Sequence, residues 1–121
     1  MRNKLLILIV SVLAMSVVAY AADITGTWTA SFDTQIGPQN YTFTFKVEGT
    51  KLTGHMKGTY SDVDIAEGTI NGDDITFVEN MTYEGMPLRI VYKGKVSGDE
   101  IKLSRTILEM FTEEAVAKRS K

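Results

Sequence analysis

Tyr41-Thr42-Phe43-Thr44-Phe45-Lys46-Val47-Glu48-Gly49-Thr50-Lys51-Leu52-Thr53 alternates apolar and polar side chains, stops at a glycine and starts again. In an extended strand Tyr41, Phe43, Phe45 and Val47 share one face, and Thr42, Thr44, Lys46 and Glu48 share the other. Glu48-Gly49-Thr50 is a tight corner, where glycine supplies the positive φ that such turns need. The same unit recurs at Ile70-Asn71-Gly72-Asp73-Asp74-Ile75-Thr76 and at Val96-Ser97-Gly98-Asp99-Glu100-Ile101-Lys102. The three glycines are 23 and 26 residues apart, room for two strands and two turns each time.

Working outward, Ile75, Phe77, Met81 and Tyr83 form another apolar line. Leu88, Ile90, Tyr92, Gly94 and Val96 form a third, opposed by Arg89, Lys93 and Lys95. No helical stripe of useful length follows residue 21. The pattern predicts eight strands, at about 24–32, 40–48, 51–58, 63–71, 74–83, 86–96, 100–107 and 112–119. Short connections favour sequential antiparallel pairing. Eight strands with one apolar face can then close into an up-and-down β-barrel, which leaves no exposed edge. The competing fold is an open sandwich, which needs a Greek-key crossover; no connection looks long enough for one.

Residues 1–21 read as a helical signal peptide that precedes the fold. Arg2 and Lys4 begin it, Leu5 to Val18 are apolar, and Ala19-Tyr20-Ala21 offers small residues at the two cleavage positions. The apolar run is shorter than the roughly 20 residues that span a bilayer, so no membrane span is expected in the mature chain. The domain is then 22–121, and the protein is expected to be exported to the periplasm or beyond. Without Arg2 and Lys4 the chain keeps 11 basic residues against 15 acids, a formal charge of −4. An acidic balance argues against nucleic acid as a partner. The absence of cysteine excludes disulfides and thiol chemistry. The single histidine, His55, makes a multi-histidine metal site or a hydrolytic triad a poor fit and is read as a surface residue. No metal and no cofactor are expected.

Turns alternate between the two ends of a meander, so the three glycine corners mark a compact, closed end. The other connections carry Ile36, Tyr60, Tyr83, Met86, Leu108, Met110 and Phe111. Apolar side chains at a loop-rich end suggest a ligand mouth or a partner surface, unless they fold inward as a plug. Counting in twos from each glycine corner places Phe43, Met56, Ala66, Glu79, Tyr92 and Arg105 on the inner wall. Glu79, Tyr92 and Arg105 are spaced 13 residues apart and should lie side by side on neighbouring strands. Burying Glu79 and Arg105 apart is costly, so the two should pair, with the Tyr92 hydroxyl as a third member. Such a trio is either a polar patch in a ligand pocket or a satisfied ion pair that fixes register.

Gly26-Thr27-Trp28 resembles the Gly-x-Trp signature of the calycin superfamily, which includes lipocalins and avidins. Ile24-Thr25-Gly26-Thr27-Trp28, with Leu52-Thr53-Gly54, looks like the opening of an avidin-type barrel. The resemblance implies that Trp28 packs at the closed end against a basic side chain late in the last strand, for which Arg119 in Ala117-Lys118-Arg119 is the match. It makes both residues structural. Most of the mature chain resembles a set of small exported bacterial domains built on Gly-x-Trp, Thr-Phe-x-Phe-Lys-Val-x-Gly, two Gly-Asp-x-Ile-like turns and a closing Ala-Lys-Arg. Avidin-type sites surround biotin with several tryptophans; this chain has only Trp28, so biotin does not fit.

Three functions are compatible with this pattern. The leading one is a non-enzymatic binding protein with a small apolar or amphiphilic ligand in its barrel. The second is an accessory module whose open-end loops dock onto a secreted carbohydrate-active enzyme or a glycan. The third, a glycan hydrolase, would need two facing carboxylates, and Glu79 and Asp64 are the inner-facing acids that parity offers. Arg105 beside Glu79 argues against a general acid there.

Overall fold

The computed structural model describes residues 21–120. The leader expected over residues 1–21 lies, but for Ala21, outside the described residues. Nine strands follow: β1 (Gly26–Thr34), β2 (Gly37–Glu48), β3 (Lys51–Lys57), β4 (Asp62–Asp64), β5 (Ala66–Asn71), β6 (Asp74–Tyr83), β7 (Met86–Ser97), β8 (Glu100–Ile107) and β9 (Phe111–Arg119). Chain neighbours pair antiparallel except β4 and β5, which both pair with β3 and not with each other, and β9 returns to β1. Since β4 and β5 succeed each other along one stave, the sheet is a closed barrel of eight. No helix occurs among the described residues.

Three boundaries differ from the sequence reading. β1 begins at Gly26, not at residue 24, because Gly26 takes φ of 134° and the chain before it turns across the barrel's end. β2 begins at Gly37, not at residue 40. Thr34 Oγ1 donates to the Gly37 carbonyl (2.7 Å) and accepts from Ile36 N–H (3.2 Å), closing a two-residue turn where a longer loop was expected. The fourth strand is broken at Ile65, and Glu67 beyond the break has φ of 52° with a register shift between Ala66 and Thr69. An extra residue at such a bulge reverses the inside-outside alternation on its far side.

That reversal corrects the placement of Asp64. Val63 and Ile65 pack toward the core, so Asp64 faces solvent with its side chain 87% exposed. There its Oδ1 lies 2.8 Å from His55 Nδ1, while Asp62 bonds His55 Nε2. His55 is on the surface as expected, but it is clasped between two carboxylates. The hydrogen bond to Asp64, then that to Asp62, raises its pKa above the ordinary histidine value. A raised folded-state pKa stabilises the fold fully below the unfolded value near 6.5, and the benefit is lost as pH rises through the folded value. An NMR titration of His55 is therefore expected to give a midpoint above 6.5, and His55→Asn to remove that step from the pH dependence of the urea midpoint. A midpoint at or below 6.5 would contradict the clasp.

The closed end is built by the segment before β1. Ala22 N–H donates to the Gly72 carbonyl (2.9 Å), drawing residues 22–25 beneath the barrel and burying Ile24 completely. Trp28 is fully buried above it and donates from Nε1 to the Ile24 carbonyl (2.9 Å). Arg119, directly opposite Trp28 in the β1–β9 ladder, holds its guanidinium 4.5 Å from the indole centroid. It also donates to the carbonyls of Thr25 and Asp23 (3.2 Å each) and to Asp99 Oδ1 (3.0 Å). The ladder between β1 and β9 is registered only at this end, through Trp28↔Arg119 and Thr29↔Lys118. Gly54 allows β3 to cross close under β2: a Cβ there would sit 2.0 Å from the Thr44 carbonyl oxygen.

Candidate functional site

The inward faces do different things in the two halves of the barrel. Toward the closed end, the aromatic line of β2 meets β6 and β7. Phe43 stacks on Phe45 (5.5 Å between centroids), and Phe77 stacks on Tyr92 (4.6 Å). Phe43, Met56, Phe77 and Tyr92 are all completely buried. This half is filled by side chains, as expected of a narrow eight-stranded barrel.

Toward the loop-rich end the filling stops and a cavity of about 650 Å³ opens. Ile36, Tyr60, Tyr83, Met110 and Phe111 line it, together with the deeper Met81, Leu88, Ile90 and Ile107. Met86, expected among the mouth residues, is exposed and lies outside the lining. Of the five interior residues expected to face a ligand, only Arg105 reaches the cavity. Phe43 and Met56 belong to the filled half, and Glu79 and Tyr92 lie behind the lining residues Arg105 and Tyr41. Ala66, also counted inward, is half-buried beside the bulge.

Arg105, Tyr92 and Glu79 do come together, on three consecutive strands. Tyr92 sits opposite Arg105 in the β7–β8 ladder. Its hydroxyl donates to Glu79 Oε1 (2.7 Å) and accepts from Arg105 Nη1 (3.0 Å). Tyr41 donates to the other carboxyl oxygen of Glu79 (3.4 Å). The direct Glu79–Arg105 pair expected from the sequence is thus replaced by a bridge through a phenol. Burial, with the charge of Glu79 adding to it, pushes the hydroxyls of Tyr92 and Tyr41 above the ordinary tyrosine range. Both therefore stay protonated and serve as donors.

The direct partner of Arg105 is Glu113, opposite it in the β8–β9 ladder. Arg105 Nε and Nη2 each lie 2.8 Å from Glu113 Oε1, and Nη2 also reaches Gln39 Oε1 at 3.4 Å. The guanidinium lies over Phe32, 4.2 Å from the ring centroid, in cation–π contact. Glu113, Gln39 and Tyr41 complete the cluster yet were not among the expected site residues. Parity carried back from Arg119 through Ala117 and Ala115 would have turned Glu113 inward.

Gly58 holds this floor in place by being small. A Cβ there would come within 2.5 Å of the Tyr41 ring, which carries one of the two bonds to Glu79. Chemically the arrangement is a satisfied, rigid polar floor beneath apolar walls. Glu79 and Asp64, the two acids considered for sugar hydrolysis, lie on opposite faces of the sheet. Among the described residues no three His, Cys, Asp or Glu side chains converge as metal ligands.

No protein-family model matches the chain, and no curated protein matches it. Among solved structures the chain is similar to a "secretary abundant heat soluble (SAHS) protein" from Ramazzottius varieornatus, at 14% identity and a TM-score of 0.46, over 85% of this chain and 100% of that one.

Proposed function

We propose that this is an exported, non-enzymatic binding protein that holds one small apolar or amphiphilic molecule in the open half of its barrel. The observation that carries the reading is the cavity of about 650 Å³, with apolar walls over the polar floor at Arg105 and Tyr41. Its volume falls within the usual range of small-ligand sites, which pair mostly apolar lining with a few placed polar groups. The leader-like residues 1–21 support export, and the calycin resemblance agrees with a barrel that carries its ligand inside. Trp28 and Arg119 act in this reading as the structural clasp of the closed end, with Phe43, Met56, Glu79 and Tyr92 supporting the floor.

The test is saturable binding of the uncharged fluorophore N-phenyl-1-naphthylamine. A blue-shifted, one-to-one signal is expected from the native chain. It should fall at least about tenfold in Ile107→Trp, whose indole intrudes on the apolar wall and narrows the cavity, with the circular dichroism spectrum unchanged; such a loss corresponds to about 1.4 kcal/mol. Absence of binding would favour the second reading. In that reading the exposed Ile36, Met86, Leu108 and Met110 of the rim dock onto a secreted enzyme or a glycan.

A further inference from the structure

The charges around the cavity are distributed unevenly, and among the described residues the one cation that lines it, Arg105, is already engaged. All three guanidinium nitrogens of Arg105 have partners within the protein: Glu113, Gln39 and Tyr92. Four of its five N–H groups are thereby used, so a carboxylate or sulfate head finds a single N–H, the second on Nη1, unless it displaces Glu113, Gln39 or Tyr92. The other two charged residues of the lining are both acids on neighbouring staves: Glu113 on β9, and Asp33 on β1, which follows the inward-facing Phe32 and stands exposed at the rim. Thr34, Gln39 and Thr112 share that side. Met81, Tyr83, Leu88, Ile90 and Ile107 on β6, β7 and β8 make the apolar side.

The rim turns add Glu84 and Glu109, and residues 33–39, 58–62, 83–86 and 108–113 contain no lysine or arginine. Two surface cations elsewhere on the strands have acidic neighbours: Lys57, opposite Asp62 in the β3–β4 ladder, and Arg89, bonded twice to Glu67 (2.9 and 3.0 Å). Tyr60 and Tyr83 meet edge to face at the mouth, 5.6 Å apart. With Phe111 they offer ring faces of the kind that attract organic cations.

Building on the binding reading, we infer that the ligand is an amphiphile with a cationic head, an alkyl- or arylammonium, whose tail lies on the β6–β8 side and whose charge faces Asp33 and Glu113. The floor arginine, which would ordinarily select an anion, is neutralised from within. Glu113 is therefore the specificity-determining residue.

The experiment compares decyltrimethylammonium with decanoate by isothermal calorimetry on the native chain, both below their micelle concentrations. N-phenyl-1-naphthylamine serves as the uncharged reference. The ammonium is expected to bind about tenfold or more tightly than decanoate at low ionic strength, with the gap narrowing as salt is raised. Glu113→Gln releases Arg105 and should shrink or reverse the preference. Asp33→Asn, at an exposed position that leaves the floor untouched, should weaken only the ammonium. Equal or tighter binding of decanoate by the native chain overturns the cationic assignment, as does binding of the naphthylamine alone; in both cases the cavity reading survives. If none of the three binds, the cavity reading fails and the assignment with it.

Discussion

Arg105→Met is expected to destabilise the barrel by about 3–5 kcal/mol, the usual cost of removing one member of a buried charge pair. Methionine can fill most of the arginine's volume, so little of the loss arises from a void. It comes from the groups left behind. Glu113, only 17% exposed, loses the cation that both Nε and Nη2 approach at 2.8 Å. Tyr92 loses its donor, although its own hydroxyl still donates to Glu79. The cation–π contact with Phe32 disappears as well. Urea unfolding should show the shift as a lower midpoint at unchanged slope. Because the penalty is mainly one of stranded polar groups, Arg105→Met combined with Glu113→Gln should recover part of it. A loss below about 1 kcal/mol in the single variant, the scale of a surface pair, would mean that the cluster is solvated and adds nothing to the floor.

The sequence made this cluster partly legible, and its residues show where counting in twos succeeds and fails. Period-two alternation from Gly72 and Gly98 turned Glu79, Tyr92 and Arg105 inward because β6, β7 and β8 are regular along their paired length. It failed for Asp64, where the bulge at Glu67 inserts a residue that has no compositional mark: glutamate at φ of 52° is not a residue that sequence flags for a turn. It also could not tell a lined pocket from a filled core. Phe43 and Arg105 share an inward parity and are equally buried, but the first is stacked among rings while the second borders the cavity. Depth along the barrel depends on stagger and on how far the rim hairpins extend, and both are set by tertiary pairing. The short Thr34–Gly37 turn lengthens β1 and β2 past their expected ends and helps raise the wall around the cavity.

The other large effect is expected at the opposite end, from Trp28→Ala. Truncating a fully buried tryptophan typically costs about 3–5 kcal/mol, part from lost transfer energy and part from the cavity left behind. Against a total of roughly 5–15 kcal/mol for a domain, this removes a third or more of the stability in most of that range and leaves a substantial unfolded population at its low end. Three attachments converge on this one side chain. The indole N–H ties down Ile24, the Arg119 guanidinium covers the ring, and the β1–β9 ladder is registered at this very pair. Trp28→Phe keeps a ring under Arg119 and gives up mainly the bond to the Ile24 carbonyl, a loss of about 1 kcal/mol plus some packing. Arg119→Met should cost less than Trp28→Ala, since its side chain is 31% exposed and its bonds reach solvent-facing groups. Far-UV circular dichroism is the proper monitor, because the chain has no second tryptophan to report by fluorescence. The decisive comparison is between the two ends. If the closed end serves only as a structural clasp, Trp28→Phe should lower the urea midpoint while leaving the affinity for N-phenyl-1-naphthylamine unchanged. A change in affinity without a change in stability would place the ligand at the base instead of the mouth.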